Sequence, residues 1–319
     1  MRIITLFSGI GMQEIALKRA GIPYELVYFC EYDKKIAECF QYIHNEPPEK
    51  NLGDITKIDV STLDVGKIDL MFSSFPCQSF SMAGKKEGFD CPKNGSMFDH
   101  SYKIIKKVKP KVVIFENVKN ITNKKFNAVP YIQSEMEKLG YTCNHKILNA
   151  VDYGGVQNRE RWFMVCSSKT FSFPEPFKSD KKVRDYVETN ISRKCSNRLL
   201  KYMGNDEYKK IYNSFRGLKK VFDGCSQGYF NNGFTGGRIY SIDGYAPTFT
   251  TSNDAHFWEL GGRLSALERW RMMGLSDDDY HLLKSNDVKD SLIHKICGNG
   301  IVVNVCEALF QKMKQDGIL

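Results

Sequence analysis

The sequence predicts an α/β protein: a parallel sheet with crossover helices up to about residue 170, then a smaller, loop-rich domain. Short apolar runs alternate with helix-length stretches in the first part, the pattern of strands joined by crossover helices. The periodicity fades in the second part, where glycines recur at positions 204, 217, 224, 228, 233, 236, 237 and 244 among Asn, Ser and Tyr. Helical patterning then resumes from Leu264. In order, a strand over 3–7 precedes a helix over 12–20, and a strand over 26–30 precedes a helix over 33–43. A strand over 68–73 leads through a long loop to a helix over 102–108. Strand 112–116 leads to helix 131–139, and strands 143–148 and 162–166 follow closely. Pro174 and Pro176 open the smaller domain, in which 238–242 and 248–251 read as short extended pieces. Residues 302–313 form an amphipathic helix. The expected division is therefore 1–174, 175–262 and a return segment, 263–319.

Composition narrows the class. The 319 residues are 42% hydrophobic and 26% charged, as in globular proteins and unlike disordered or fibrous ones. No apolar run approaches the ~20 residues of a membrane span. The chain opens as a strand rather than as a basic-then-apolar leader, so a cytoplasmic protein is expected. The ten cysteines are scattered and form no CxxC pair, which argues for free thiols and against a structural zinc site. The net charge of +9 is unevenly spread: residues 101–130 hold eight Lys against one Glu, and 178–220 hold thirteen basic against five acidic residues. Two such blocks suit a phosphate-binding surface.

The chemistry-bearing residues fall at the ends of expected strands, where ligands of open α/β sheets bind. Phe7-Ser8-Gly9-Ile10-Gly11 lets a ligand approach backbone and a helix N-terminus. Glu31, 20 residues after Gly11, stands where a carboxylate meets ribose hydroxyls; it also reads as a helix-opening acid. Gly53-Asp54-Ile55 adds a third polar position, and the three suggest an adenosine-type ligand. The loop lacks a Walker lysine, which disfavours phosphate hydrolysis. Phe75-Pro76-Cys77-Gln78-Ser79-Phe80-Ser81 puts a thiol in a polar turn instead of an apolar stripe. Glu116 ends another strand, and Gln157-Asn158-Arg159-Glu160-Arg161 enters one. A Cys, a Glu and an Arg converging on one edge fit covalent catalysis.

In these motifs and in their order the chain resembles the cytosine-5 DNA methyltransferases of bacterial restriction–modification systems. Leu6-Phe7-Ser8-Gly9-Ile10-Gly11 resembles the family's S-adenosylmethionine loop, Pro76-Cys77-Gln78 its nucleophile motif, and Glu116-Asn117-Val118 its second catalytic motif. Arg159 and Arg161 match its paired arginines. Arg263-Leu264-Ser265-Ala266-Leu267-Glu268 and Gly298-Asn299-Gly300-Ile301-Val302 resemble its two last motifs. The chain departs at Thr5, where the family usually has Asp, at Met12 for Gly, at Ser73-Ser74 for Gly-Gly, and at Gly300 for Ser. Thr5 bears on how the methionine end of the cofactor is held.

The resemblance implies a Rossmann-like sheet of the S-adenosylmethionine-dependent methyltransferases with a smaller target-recognition domain. It implies methyl transfer to C5 of a flipped-out cytosine in a specific duplex DNA sequence, with Cys77 as nucleophile and Glu116, Arg159 and Arg161 completing the catalytic set. It assigns Phe7, Ser8, Gly9, Gly11, Glu31, Asp54, Ile55, Pro76, Asn299 and Ile301 to the cofactor. Gln78, Ser81, Arg238, Tyr240 and Thr248 fall to DNA, with Lys85-Lys86 as further phosphate contacts or merely a solvated loop. The segment from Ser79 to Asp99 would form a lid. The implied protein is a monomer acting on double-stranded DNA near the nucleoid, with any cognate restriction endonuclease acting separately. A tRNA-methylating relative and a catalytically inactive DNA-binding regulator are the rival readings; the glycine-rich small domain and intact Cys77, Glu116 and Arg161 argue against them.

Overall fold

The structure is a computed structural model that describes residues 1–76, 97–189, 191–210, 212–213, 217–224, 226, 237–251 and 255–319. By contact the chain divides into one unit of Met1–Leu148, Glu160–Glu175 and Cys306–Leu319 and a second of Asn149–Arg159 and Pro176–Val305. Packing thus groups residues 149–159 and 263–305 with the second unit, whereas the expected division, drawn from composition and periodicity, bounded the smaller domain at 175 and 262.

The first unit is built on β1 (Arg2–Leu6), α1 (Met12–Arg19), β2 (Glu25–Cys30), α2 (Lys34–His44), β3 (Leu70–Ser73), α3 (Met97–Val108), β4 (Val112–Val118), α4 (Ala128–Lys138), β5 (Thr142–Asn149) and β6 (Glu160–Ser167). The sheet order is β2-β1-β3-β4-β6-β5. β1 runs parallel to β2 and β3, and β3 parallel to β4, as the alternating pattern predicts. The last strands correct the all-parallel expectation, because β6 pairs antiparallel with β4. The reason is the short connection at 150–159, which cannot house the crossover helix that a parallel return requires.

Both sheet faces are covered, so the strands are apolar almost throughout. Ile4, Leu6, Met71, Val113, Phe115, Trp162 and Met164 share one core with Phe98, Ile104 and Ile105 of α3 and Ile132 and Met136 of α4. Residues of opposite parity point the other way. There Phe72 meets Phe310 of the C-terminal helix edge-on at 6.4 Å. Arg19 pairs with Glu307 of the same helix at 2.6 Å. α2 starts where expected because the Asp33 side chain accepts the Lys35 and Ile36 amides.

The second unit carries the strands β7 (Tyr212–Asn213), β8 (Lys219–Asp223), β9 (Arg238–Tyr240), β10 (His256–Phe257) and β11 (Gly262–Arg263), ordered β11-β10-β9-β8-β7. Its helices are α5 (Asn197–Leu200), α6 (Ala266–Met272), α7 (Asp277–Ser285), α8 (Asp290–Asn299) and the start of α9 (Val303–Gln315). Leu199, Tyr202, Val221, Phe222, Ile239 and Trp258 form its small core. β9 is shorter than the expected 238–242, and 248–251 makes no strand: the Phe249 and Thr250 carbonyls are taken by the arginines Arg159 and Arg269 instead. Among the described residues no single helix is long and apolar enough to cross a membrane.

Candidate active site

Because β1, β2, β3 and β4 run parallel, their C-terminal ends share one edge. That edge carries the glycine loop, Glu31, Phe75-Pro76 and Glu116-Asn117. A cleft of about 410 Å³ at the opposite edge is lined by Met1, Ile22, Asp69, Lys111 and Ile318 and includes none of the motif residues.

The glycine loop turns by three left-handed residues, Phe7 (φ 55°), Gly9 (φ 58°) and Gly11 (φ 77°). For Phe7 this conformation is strained, and such strain gathers at functional sites. A Cβ on Gly9 would meet nothing within 4 Å, so the loop has open space beside it. A Cβ on Gly11 would lie 2.2 Å from His44 Nε2 and 2.7 Å from Phe40 Cε2. His44 therefore occupies the volume that glycine leaves. Its Nδ1 faces Lys18 Nζ at 3.4 Å, and its Nε2 lies 2.9 Å from the Ile10 carbonyl. An ammonium only donates, so Nδ1 accepts and Nε2–H donates to Ile10. Burial, reinforced by the Lys18 charge, pushes the imidazole down to about 4, so it is neutral. Phe40 stacks on Phe29 at 4.1 Å and meets the tilted His44 ring at 4.4 Å. Thus α2 buttresses the loop.

Glu31 accepts the Gly9 amide at 2.9 Å through one oxygen and the Asp33 amide at 2.9 Å through the other. It couples the end of β2 to the glycine loop. Ser8 is buried and accepts the Cys30 amide at 3.1 Å. Asp54 caps a short turn by accepting the Thr56 amide and hydroxyl, which hold its carboxyl below the usual range. Ile55 is buried beside it.

The acid and one arginine meet across antiparallel strands. Glu116 stands opposite Phe163, and Val118 opposite Arg161. Glu116 and Arg161 are therefore diagonal neighbours on one face. Arg161 Nε lies 3.1 Å from Glu116 Oε1, with the two side chains only 13% and 9% exposed. One strand over, Asn117 donates to the Phe75 carbonyl at 3.1 Å. Phe75 also packs on Phe98 and Phe115, so the chain is fixed just before Pro76. Cys77, Gln78, Ser81, Lys85, Lys86 and most of the expected lid lie outside the described residues.

In the second unit Arg159 is 1% exposed and donates to carbonyls of Phe249 (3.0 Å), Gly298 (2.7 Å) and Gly300 (2.7 Å). It ties the segment after Pro247 to both sides of Asn299. Gly298 is required there, since a Cβ would lie 2.7 Å from the Thr250–Thr251 backbone. Thr248 gives its hydroxyl to the Asn158 carbonyl at 2.6 Å. Ile301 is buried. Arg238 Nε lies 3.1 Å from Asp223 Oδ2, which Lys220 also meets at 2.5 Å. Burial raises the Asp223 carboxyl, but hydrogen bonds from Lys220 and Ser226 and the Arg238 charge outweigh it and bring it down to about 2. Tyr240 is 3% exposed, and its phenol interacts with the Arg238 guanidinium.

Three supporting residues escaped the sequence reading. His44 shows no motif; only its spacing on the buried face of α2 hinted at a core role. Asn117 stood within a motif but carried no assigned contact. Glu14 falls within the expected helix over 12–20 with no role assigned to it and is fully buried.

A sheet whose parallel strands present a glycine loop, an acid after the second strand and a Glu–Arg pair at one edge defines an α/β enzyme of the Rossmann-like methyltransferase class. The family model for C-5 cytosine-specific DNA methylases matches residues 1–315. The chain belongs to that family and is a DNA (cytosine-5-)-methyltransferase. It is 32% identical to the type II methyltransferase M.HhaI of Haemophilus parahaemolyticus, covering 96% of this chain and 92% of that one. It is 30% identical to the type II methyltransferase M.NgoBI of Neisseria gonorrhoeae, covering 96% and 91%. Among solved structures, the S. pombe Dnmt2 methyltransferase shares the fold with a TM-score of 0.71 at 18% identity, over 99% of each chain.

Proposed function

We propose that this enzyme methylates C5 of a cytosine rotated out of a specific duplex DNA sequence, through a transient bond between Cys77 and C6. The observation that carries the reading is the Glu116–Arg161 pair beside the Asn117–Phe75 anchor, which sets an acid and a cation at the edge where β3 ends, with Phe75 only two residues before Cys77 in the chain. Cytosine C5 is a poor nucleophile. Addition of the Cys77 thiolate to C6 breaks the ring's aromatic character and makes C5 enamine-like. Glu116 bonds the N3 and amino edge of the base and draws charge away as the thiolate adds. Arg161 holds the O2 side and fixes the Glu116 carboxyl. After C5 has gained the methyl group, a base removes its proton and the Cys77–C6 bond breaks, returning the thiolate. The ring atoms are hidden in the stack, so the nucleotide must rotate out at a cost of a few kcal/mol.

S-adenosylmethionine supplies the activated methyl group when bound. The loop fits it: left-handed Gly9 has open space beside it, Glu31 follows β2, and Asp54 caps the turn three residues after Asn51, which bridges to Phe29 of β2. Phe7, Ser8, Gly9, Gly11, Glu31, Asp54, Ile55, Pro76, Asn299 and Ile301 would hold the cofactor. Arg159 spends its donors on the carbonyls around Asn299, so it acts as a positioning residue. Gln78 and Ser81 touch DNA near the flipped base, while Arg238 and Thr248 read the sequence with Tyr240 and Asp223 orienting Arg238. The substrate is double-stranded DNA, met by a monomer at the nucleoid.

A duplex carrying 5-fluorocytosine tests the core of this reading, because fluorine cannot leave as a proton does. A covalent adduct mapped to Cys77 is expected, with methyl transfer to duplex DNA exceeding that to tRNA. An adduct on another cysteine, or preference for tRNA, overturns it. Bisulfite sequencing of host DNA after expression yields the recognition sequence.

A further inference from the structure

The family's Asp at the end of the first strand is replaced here by Thr5, and the carboxyl is not lost. Thr5 Oγ1 lies 2.7 Å from Oε1 of Glu14, one turn into α1. It also lies 2.9 Å from Ser8 Oγ, which donates to the Thr5 carbonyl and accepts the Cys30 amide. Glu14 is 0% exposed, and its Oε2 has no hydrogen-bond partner. A side-chain chain therefore runs Glu14–Thr5–Ser8 to Cys30, joining α1, β1 and the end of β2. Those three elements frame the glycine loop, and Cys30 adjoins Glu31, which holds the Gly9 amide.

We infer that Glu14 is a positioning residue for the cofactor loop, acting in its protonated form through Thr5 and Ser8, and that cofactor affinity falls as Glu14 ionises. The inference rests on the S-adenosylmethionine reading above. Its geometric basis is donor counting. A protonated Glu14 can donate to Thr5 Oγ1, leaving the Thr5 hydroxyl to donate to Ser8 and the Ser8 hydroxyl to the Thr5 carbonyl. An ionised Glu14 can only accept, so Thr5 must turn its proton away from Ser8, and Oε2 becomes a buried charge without a donor. Titration thus reverses the chain beneath the loop.

The charged and titratable groups facing Glu14 do not relieve this. On its own helix Lys18 favours the anion, but Glu46, beyond α2, opposes it. Tyr24, before β2, and Cys306, on the C-terminal helix, are both pushed upward by burial and stay neutral. His44 is neutral as described. Burial consequently dominates, and the Glu14 carboxyl is pushed up to about 7.

The test is calorimetric titration of S-adenosylmethionine into wild-type and Glu14→Gln enzymes between pH 5.5 and 8.5, with ligand-free melting temperatures alongside. Gln keeps a donor and an acceptor at all pH values and cannot ionise. The expected result is near-equal affinity of the two proteins at pH 5.5 and a wild-type affinity several-fold to tenfold weaker than that of Glu14→Gln at pH 8.5. Titration of the cofactor's own amino group affects both proteins alike and cancels in the ratio. A constant ratio across the range overturns the inference, as does Glu14→Gln being weak at every pH while melting no lower than wild type. If Glu14→Gln does not fold, Thr5→Val, which removes the relay but keeps the carboxyl, should lose affinity at pH 5.5; unchanged affinity there also overturns it. Absence of any cofactor binding to the wild type would instead refute the underlying cofactor reading.

Discussion

Gly11→Ala should disable the glycine loop through a named clash. The new Cβ falls 2.2 Å from His44 Nε2 and 2.7 Å from Phe40 Cε2, at a φ of +77°. The left-handed backbone alone costs about 1–2 kcal/mol for an L-residue. Overpacking adds about 1–3 kcal/mol. If His44 retreats, the buried Ile10 carbonyl loses its donor, at a further ~1–3 kcal/mol. The total, about 3–8 kcal/mol, is a large share of a typical domain's stability of about 5–15 kcal/mol. A double-mutant cycle with His44→Ala separates the terms, because removing the imidazole relieves the 2.2 Å clash and leaves the backbone cost and the Phe40 contact. Urea unfolding read by amide hydrogen exchange of α1 and β1 scores the first unit alone. The expected coupling is about 1–3 kcal/mol, with Gly11→Ala less damaging when His44 is absent. Strict additivity would refute the claim that His44 fills the glycine's volume.

Four further outcomes are expected. Cys77→Ala should abolish methyl transfer and keep sequence-specific DNA binding, measured by gel shift beside a methylation assay. Arg161→Ala should lower kcat by about 10²–10³ through loss of an electrostatic partner, with cofactor affinity kept within a few-fold; an unchanged kcat would remove Arg161 from the catalytic set. Arg238→Ala should relax the recognised motif at one base pair by about 1–3 kcal/mol, and Asp223→Ala should do the same by releasing the guanidinium; uniform loss on every sequence of a randomised library would point to a phosphate contact instead. The last concerns pH and stability. Glu14 is raised from 4.5 to about 7 in the folded chain, so the folded state holds a proton that the unfolded state releases. Its contribution is fully present below about pH 4.5 and is lost as pH rises to about 7. Glu14→Gln should therefore stabilise the first unit by up to about 3 kcal/mol at pH 8 and by little at pH 4.5; an equal effect at both would contradict the shifted carboxyl.

The parallel strands and the edge where their C-terminal ends meet were legible because such strands bury both faces and read as continuous apolar runs, and because Gly9, Glu31 and Glu116 stand where those runs stop. The direction of β6 was not, since Trp162 to Cys166 is equally apolar either way; only the shortness of 150–159 decides it. The spacing of Arg159 and Arg161 does not by itself separate their roles; only the resemblance implies that Arg161 holds the base and Arg159 supports the loop. Two residues apart on an extended chain, they look like one motif, yet one is consumed by carbonyls of the second unit and the other faces Glu116. Glu14 and His44 could not be found from sequence, because a buried polar side chain on a helix is told from an exposed one only by what packs against it. The DNA-reading role proposed for Arg238 rests on the resemblance, because the local sequence pattern there carries little information about partners.

The C-terminal helix gives the two units a temporal order. Cys306–Leu319 completes the first unit, where Cys306, Leu309, Phe310 and Met313 are each 0% exposed against the sheet face that carries Phe72. A ribosome reaches Cys306 only after synthesising the whole of Pro176–Val305. At about 5–20 residues per second that interval lasts roughly 7–26 s. During it the nascent sheet carries an uncovered apolar face, while the second unit can already begin to fold. Slowing translation between Pro176 and Val305 should therefore lengthen the nascent sheet's exposure to chaperones and raise its aggregation, even though no codon in the first 175 residues has changed.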